Sequence, residues 1–230
     1  MPDRPARHTL VWLSAHADWR ADLAAHDTRL AAWFGRGFPA VVARRAADDP
    51  DPRVRLGVPL PPAEGKLRLG LRVSLDDIAR QAPPLALGEV VVHAGVPEAW
   101  RVPLATLDAL APARVFGAFA WQVLTGLEYV HPRSDIDLLW SVRDARGADA
   151  LVRALRDWEV RSGLRVDGEF CLPGGAAVNW RELAGGSRQV LVKRVEGAGL
   201  EERAAVFGRG EWDTHGVSLR GSAVPVGVAS

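Results

Sequence analysis

The run Ser134-Asp-Ile-Asp-Leu-Leu-Trp140 constrains this chain more than any other stretch. Residues two apart in a strand share a face. Asp135 and Asp137 therefore project together, while Ile136 and Leu138 point the opposite way into an apolar core. Such a strand needs a sheet with one face covered and the other open to a polar site. Two adjacent carboxylates repel each other unless something positive lies between them. A hard divalent cation with oxygen ligands, such as magnesium, resolves the conflict and keeps coordination places for a polyphosphate. Asp135 and Asp137 are thus the candidate metal ligands. A solvated strand end can also read Asp-x-Asp, so the flanking sequence has to decide.

Pro and Gly clusters cut the rest of the chain into short helices and strands. Residues 9–13 read as an apolar strand and residues 18–33 as a helix, with Trp19, Leu23, Leu30 and Trp33 at helical spacing. Gly35-Arg-Gly37 ends that helix, and residues 39–45 form another strand. The Asp- and Pro-rich residues 48–62 are expected to be a loop. Residues 66–73 alternate charged and apolar side chains, as a one-sided strand does. Ser74 with Asp77 starts a short helix, which Gln81-Ala-Pro-Pro84 stops. Beyond it come strands at 89–93 and 114–117, helices at 104–110 and 119–127, and a strand at 136–142. A helix at 149–162 and strands at 165–170 and 189–194 complete the reading. The sum is an α+β or mixed α/β fold. We divide it into a small N-terminal α/β domain, residues 1–85, and a second domain, residues 86–230, with a mixed sheet flanked by helices.

Composition narrows the function. The formal net charge of +1 gives no overall field pointing to nucleic acid or an acidic membrane. Lys66 and Lys193 are the only lysines among the 29 basic residues, a bias that a GC-rich genome explains most simply. Cys171 is the single cysteine, which excludes an intrachain disulfide and a cysteine-based metal site. The polar start and the lack of an 18-residue apolar run predict a cytoplasmic protein without a membrane span.

Two elements flank the aspartate pair. Upstream, Phe116-Gly-Ala-Phe119 is a small-residue turn between strand and helix, where backbone N–H groups of Gly117 and Ala118 can approach phosphate. Downstream, Asp167 and Glu169 again share a strand face, and either can supply a third acid or polarise an attacking hydroxyl. Gly168 between them permits close approach or marks a bulge. Arg133 and Lys193 are candidate phosphate contacts. Arg44, Arg45, Lys66 and Arg68 form basic strand ends that face either a nucleotide, an acidic carrier protein or solvent. The six histidines show no metal-ligand spacing; His8 is read as structural and His93 as a strand residue. Trp121 and Trp140 are read as core, with stacking on a base as the alternative.

The order strand, Gly-small turn, helix, Asp-x-Asp strand and later acidic strand resembles the polymerase-beta type of nucleotidyltransferase fold. More specifically, Phe116-Gly-Ala-Phe-Ala-Trp-Gln-Val-Leu-Thr-Gly126 followed by Ser134-Asp-Ile-Asp137 resembles the malonate decarboxylase holo-acyl-carrier-protein synthases, or phosphoribosyl-dephospho-CoA transferases. Arg7-His8-Thr-Leu-Val-Trp-Leu13, Val178-Asn-Trp-Arg-Glu-Leu183 and Val190-Leu-Val-Lys193 also look like blocks of that family, in the same order. The resemblance implies transfer of the phosphoribosyl-dephospho-CoA group from 2′-(5″-triphosphoribosyl)-3′-dephospho-CoA to a serine of the apo acyl-carrier subunit of malonate decarboxylase. Pyrophosphate leaves, Asp135 and Asp137 hold magnesium, and Gly117 and Ala118 lie on the phosphate side. The family turn usually reads Gly-Ser, so Ala118 is a departure. Two competing readings are a nucleotidyltransferase acting on another hydroxyl (a citrate lyase carrier, a small molecule or RNA) and a non-catalytic nucleotide- or carrier-binding module.

Overall fold

A computed structural model describes residues 5–44, 48–194 and 197–207. Its first half is β1 (Leu10–Leu13), β2 (Trp19–Ala21), α1 (Asp27–Gly35), β3 (Ala40–Val42), β4 (Val54–Pro59), β5 (Arg68–Val73) and β6 (Ile78–Ala82). These strands form one sheet in the order β2-β5-β4-β3-β1-β6, antiparallel at every pairing. The alternation read over residues 66–73 is there: Leu69, Leu71 and Val73 are buried, while Arg68 is exposed.

Two expectations fail in this half. The helix begins at Asp27, and Trp19–Ala21 is a strand paired with β5, Trp19 opposite Val73. The helical spacing of Trp19 and Leu23 was coincidental, since Leu23 is 60% exposed. The 48–62 segment is a loop only as far as Arg53; β4 follows and buries Val54, Leu56 and Val58 on alternate positions. Its Gly and Pro neighbours had hidden that period. The short helix after Ser74 is one 3-10 turn, Leu75–Asp77, running directly into β6. Arg45 lies outside the described residues.

The second half comprises β7 (Leu85–Ala86), α2 (Leu87–Val91), α3 (Glu98–Asp108), β8 (Arg114–Phe116), α4 (Gly117–Thr125), β9 (Ile136–Ser141), α5 (Ala145–Ser162), β10 (Val166–Cys171), β11 (Ala177–Asn179), α6 (Trp180–Ala184), β12 (Gln189–Arg194) and β13 (Gly197–Glu202). Its sheet runs in chain order from β13 to β7. Only β9 and β10 pair in parallel, and α5 makes the crossover such a pair needs. The sheet is therefore mixed, and with the first it gives an α+β fold.

Residues 89–93, expected as a strand, belong to helix α2 and the turn after it. The Glu89 side chain accepts the Ala86 N–H at 2.7 Å and so closes the helix start. Val90 is buried while Val92 is 76% exposed, so tertiary packing overrides the β-branched run. Helix α3 starts six residues before the expected 104 and runs through Pro103, burying Trp100, Leu104 and Leu107. Asp144 caps α5 by accepting the Gly147 N–H at 2.8 Å, extending that helix to Ala145.

Each sheet has its own apolar core, and α4 serves both. Phe119 and Ala120 enter the second core, whereas Trp121 joins the first, its ring 5.9 Å from that of Trp33. Tyr129 follows it there and donates its hydroxyl to the Pro59 carbonyl at 2.8 Å. Trp140 is core as read, packed edge-on against Phe170. Among the described residues no helix is long and apolar enough to cross a membrane.

Candidate active site

The site forms where β8 turns into α4. Gly117 has φ 66°, in the left-handed region that suits glycine. A Cβ there would stand 1.9 Å from Asp137 Oδ2. Glycine thus serves two ends, making the turn and letting the Asp137 carboxylate lie against it. Asp137 is the second residue of β9, opposite Phe116 of β8 and opposite Asp167 of β10. Ile136 and Leu138 are fully buried beneath it, as the alternation predicts.

Burial raises the pKa of Asp137, and the nearby charges of Asp135 and Asp167 raise it further. Arg68 pulls the other way, and the carboxyl ends up at about 7 against an ordinary 3.8. The site therefore holds more negative charge than its protein surroundings neutralise.

Asp167 Oδ1 accepts the Asn179 side-chain N–H at 3.0 Å and the Gly168 N–H at 2.8 Å. Gly168 marks a close approach of backbones: a Cβ would meet the Leu138 carbonyl oxygen at 2.1 Å. Glu169, 5% exposed, is held differently. It accepts hydrogen bonds from Arg7 and, at 2.9 Å, from Lys193 Nζ, and His8 Nε2 stands 3.5 Å away. Burial pushes its pKa up, but His8, Lys193 and Arg7 together outweigh burial and bring it down to about 2.

A cleft of about 840 Å³ lies between the two sheets. Gly117, Ala118, Arg133, Asp135 and Asp137 line one side; Arg44, Arg55, Lys66 and Arg68 of the first half line the other. Arg55 is paired with Asp22 at 3.2 Å. Arg44, Lys66, Arg68 and Arg133 form no ion pair with a described residue, which leaves four cations for a ligand. Of the residues singled out from sequence, Asp167, Glu169 and Lys193 are not among those lining this cleft.

Sequence reasoning missed two parts of this arrangement. Arg7 reaches Glu169 across 162 positions, a pairing no local pattern reveals. Gln122 pins the loop that leads to the aspartates: its Oε1 accepts the N–H groups of Tyr129 (3.0 Å) and Val130 (2.8 Å), and its Nε2 donates to the Gly95 carbonyl. The Trp121-Gln122 pair had signalled the family, and its structural task is to set α4 and this loop.

Two family models together cover most of the chain. The Phosphoribosyl-dephospho-CoA transferase MdcG N-terminal domain matches residues 6–84 and the corresponding C-terminal domain residues 86–204. A phosphoribosyl-dephospho-CoA transferase of Xanthomonas campestris pv. campestris (strain 8004) is 52% identical over 206 residues, covering 87% of this chain and 96% of the relative. One of Bradyrhizobium diazoefficiens is 42% identical over 210 residues, 86% of this chain and 91% of the relative. One of Pseudomonas putida (strain GB-1) is 32% identical over 224 residues, 87% and 98%. No solved structure matches the chain. These relatives and family models make the chain a transferase enzyme. The chain belongs to the phosphoribosyl-dephospho-CoA transferase family.

Proposed function

We propose that the enzyme transfers phosphoribosyl-dephospho-CoA from 2′-(5″-triphosphoribosyl)-3′-dephospho-CoA to a serine of the apo acyl-carrier subunit of malonate decarboxylase, releasing pyrophosphate. The supporting observation is Asp137, a carboxylate buried against the Gly117 turn beside Asp135 and Asp167, in a cleft whose facing wall is cationic. So much unneutralised negative charge calls for a cation, and the donors are hard oxygens that suit magnesium. Among the described residues no group of three His, Cys, Asp or Glu side chains is arranged to hold a metal ion unaided. Magnesium fits that limit, because one or two carboxylates with water and substrate phosphates complete its usual shell. Asp135 and Asp137 would hold it. When bound, it supplies charge neutralisation at the reacting phosphate and the departing pyrophosphate.

The chain's own residues divide the remaining work. Arg44, Lys66, Arg68 and Arg133 bind the phosphates of the donor. The first N–H groups of α4, at Gly117 and Ala118, donate to phosphate oxygens where the helix dipole favours negative charge. Asp167, oriented by Asn179, adds its charge beside Asp137 and strengthens the site's demand for a cation. Glu169 is committed to Arg7 and Lys193, and it organises the site from behind. The relatives' names support the donor group; the sequence blocks that resemble the malonate decarboxylase synthases support the carrier acceptor. A cytoplasmic setting goes with this reading.

Purified protein, magnesium, the triphosphoribosyl precursor and apo carrier subunit should together yield a mass gain on the carrier serine. Carrier left unmodified under conditions where a known synthase works would refute the proposal.

A further inference from the structure

We infer that His8 is the general base that takes the proton from the acceptor hydroxyl, with Glu169 behind it as the orienting carboxylate. The inference rests on the transfer reaction proposed above.

His8 lines the same cleft as Asp135 and Asp137. Its ring lies 4.6 Å from that of Phe116, the residue before Gly117 and the cross-strand partner of Asp137. His8 Nε2 is buried, has no hydrogen-bond partner, and stands 3.5 Å from Glu169 Oε2. A shift of a few tenths of an ångström completes an Nε2–H···Oε2 bond. That bond would fix the tautomer and leave the Nδ1 lone pair for a proton. Base and orienting carboxylate are the parts an activated hydroxyl needs.

His8 sits in a turn closed by the Thr9 N–H to the Ala6 carbonyl at 3.1 Å, and its φ is 67°. Among the described residues, His8 and Lys66 are the two non-glycine residues with positive φ, and both line this cleft. Lys66 follows Gly65 in the turn before β5, where consecutive left-handed residues are ordinary. A glycine or asparagine would serve the His8 turn at less cost. Arg7 and Lys193 already neutralise Glu169, so charge balance does not require a histidine there. The strained turn sets the His8 ring between Phe116 and Glu169 on the cleft wall, and strain kept at such a wall marks a functional side chain.

Asp135 and Asp137 are assigned to the metal. Asp167 is engaged by Asn179 and Gly168, and Glu169 by Arg7 and Lys193. The charged groups around His8 are Arg7 on its own turn and Glu169 from β10, with Lys193 of β12 on the far side of Glu169. Of the two histidines lining the cleft, His131 accepts the Arg133 N–H at its Nδ1 at 3.1 Å, and His8 is the one that stands beside a buried carboxylate.

In the step, the serine O–H proton passes to His8 Nδ1 as the serine oxygen forms a bond to the phosphorus attached to the ribose. The bond from that phosphorus to the pyrophosphate oxygen breaks, and its electron pair leaves with pyrophosphate. Glu169 faces the imidazolium so formed, and the proton then passes to water.

Two variants test this in the magnesium-dependent transfer assay. His8→Asn keeps the left-handed turn, so its Tm and its affinity for the triphosphate donor should match wild type. Its turnover should fall about 100- to 10,000-fold, the usual range for a lost general base. His8→Gly opens space at the ring position, and added imidazole should restore part of its turnover. Wild-type transfer with His8→Asn within about threefold of it would overturn the assignment while leaving the parent reaction intact. So would a loss in both variants that tracks lost donor affinity and resists imidazole. No transfer by wild type itself would overturn the proposed reaction, and the role of His8 in it.

Discussion

Replacing Asp137 by asparagine should make the metal-free enzyme more stable at alkaline pH while abolishing transfer. Asp137 is forced towards its neutral form by burial and by Asp135 and Asp167, with its pKa raised to about 7 from 3.8. Between these two values the native carboxyl keeps a proton that the unfolded chain has released. The native state binds more protons there, so stability falls as pH rises through that window. The contribution is intact below the unfolded value and fully lost above about 7. At about 1.4 kcal/mol per pKa unit, the loss reaches at most about 4 kcal/mol.

Asparagine never ionises and avoids that loss. In a protein of this size about 1 kcal/mol moves Tm by about 2–4 °C. Wild type and Asp137→Asn should therefore melt alike near pH 4 in chelator, and the variant should melt several degrees higher at pH 8. Taking the difference between the two proteins removes every other titration they share. Saturating magnesium should raise the wild-type Tm and shrink the gap, because the cation relieves the same charge excess. The reasoning fails if the variant melts below wild type at pH 8 in chelator. It also fails if the difference does not change with pH, or if magnesium stabilises both proteins equally.

Gly117→Ala should lose most transfer activity and about 1–3 kcal/mol of stability, since it strains a left-handed residue and displaces the Asp137 carboxylate 1.9 Å from the new Cβ. Chemical denaturation with parallel turnover measurements checks both. Glu169→Gln leaves Arg7 and Lys193 facing an uncharged amide and should cost about 3–5 kcal/mol at pH 7. Because the Glu169 pKa is lowered to about 2, its contribution is present above 4.5 and disappears as pH falls towards 2. Urea midpoints for wild type and variant should accordingly draw together as pH falls from 4.5 towards 2. Ala118→Ser adds a hydroxyl to the phosphate side of the turn and should tighten donor binding by about 0.5–1.5 kcal/mol, read by titration calorimetry.

Local patterns carried the acid side of the site. Asp137 was legible because alternation with Ile136 and Leu138 fixes its strand face, with Asp135 one residue before β9 and lining the same cleft, and Gly117 because a small residue stood between strand and helix. What failed, failed where local chemistry was ambiguous. Val90–Val92 has strand propensity, yet Glu89 closes a helix start over Ala86, Val90 and Val91 pack on the core, and Val92 is left exposed. Val54, Leu56 and Val58 alternate correctly, but Pro and Asp density around them reads as loop. Gly168 was open between bulge and close approach, and the Leu138 carbonyl 2.1 Å from its missing Cβ gives close approach.

The basic side was illegible for a different reason. Lys66 and Arg68 were visible as charges, but that they face Asp137 follows from the docking of two sheets, which no period encodes. Among the contacts that hold this docking are Trp121 against Trp33, Tyr129 to the Pro59 carbonyl, and Arg7 to Glu169. Each takes one residue from either sheet's half; Trp121 lies in α4, which opens at the Gly117 turn against Asp137, and Tyr129 follows that helix. Charge balance in the cleft is therefore a property of the assembled halves. An excess of carboxylates on one sheet and unpaired cations on the other are complementary only across the cleft between them.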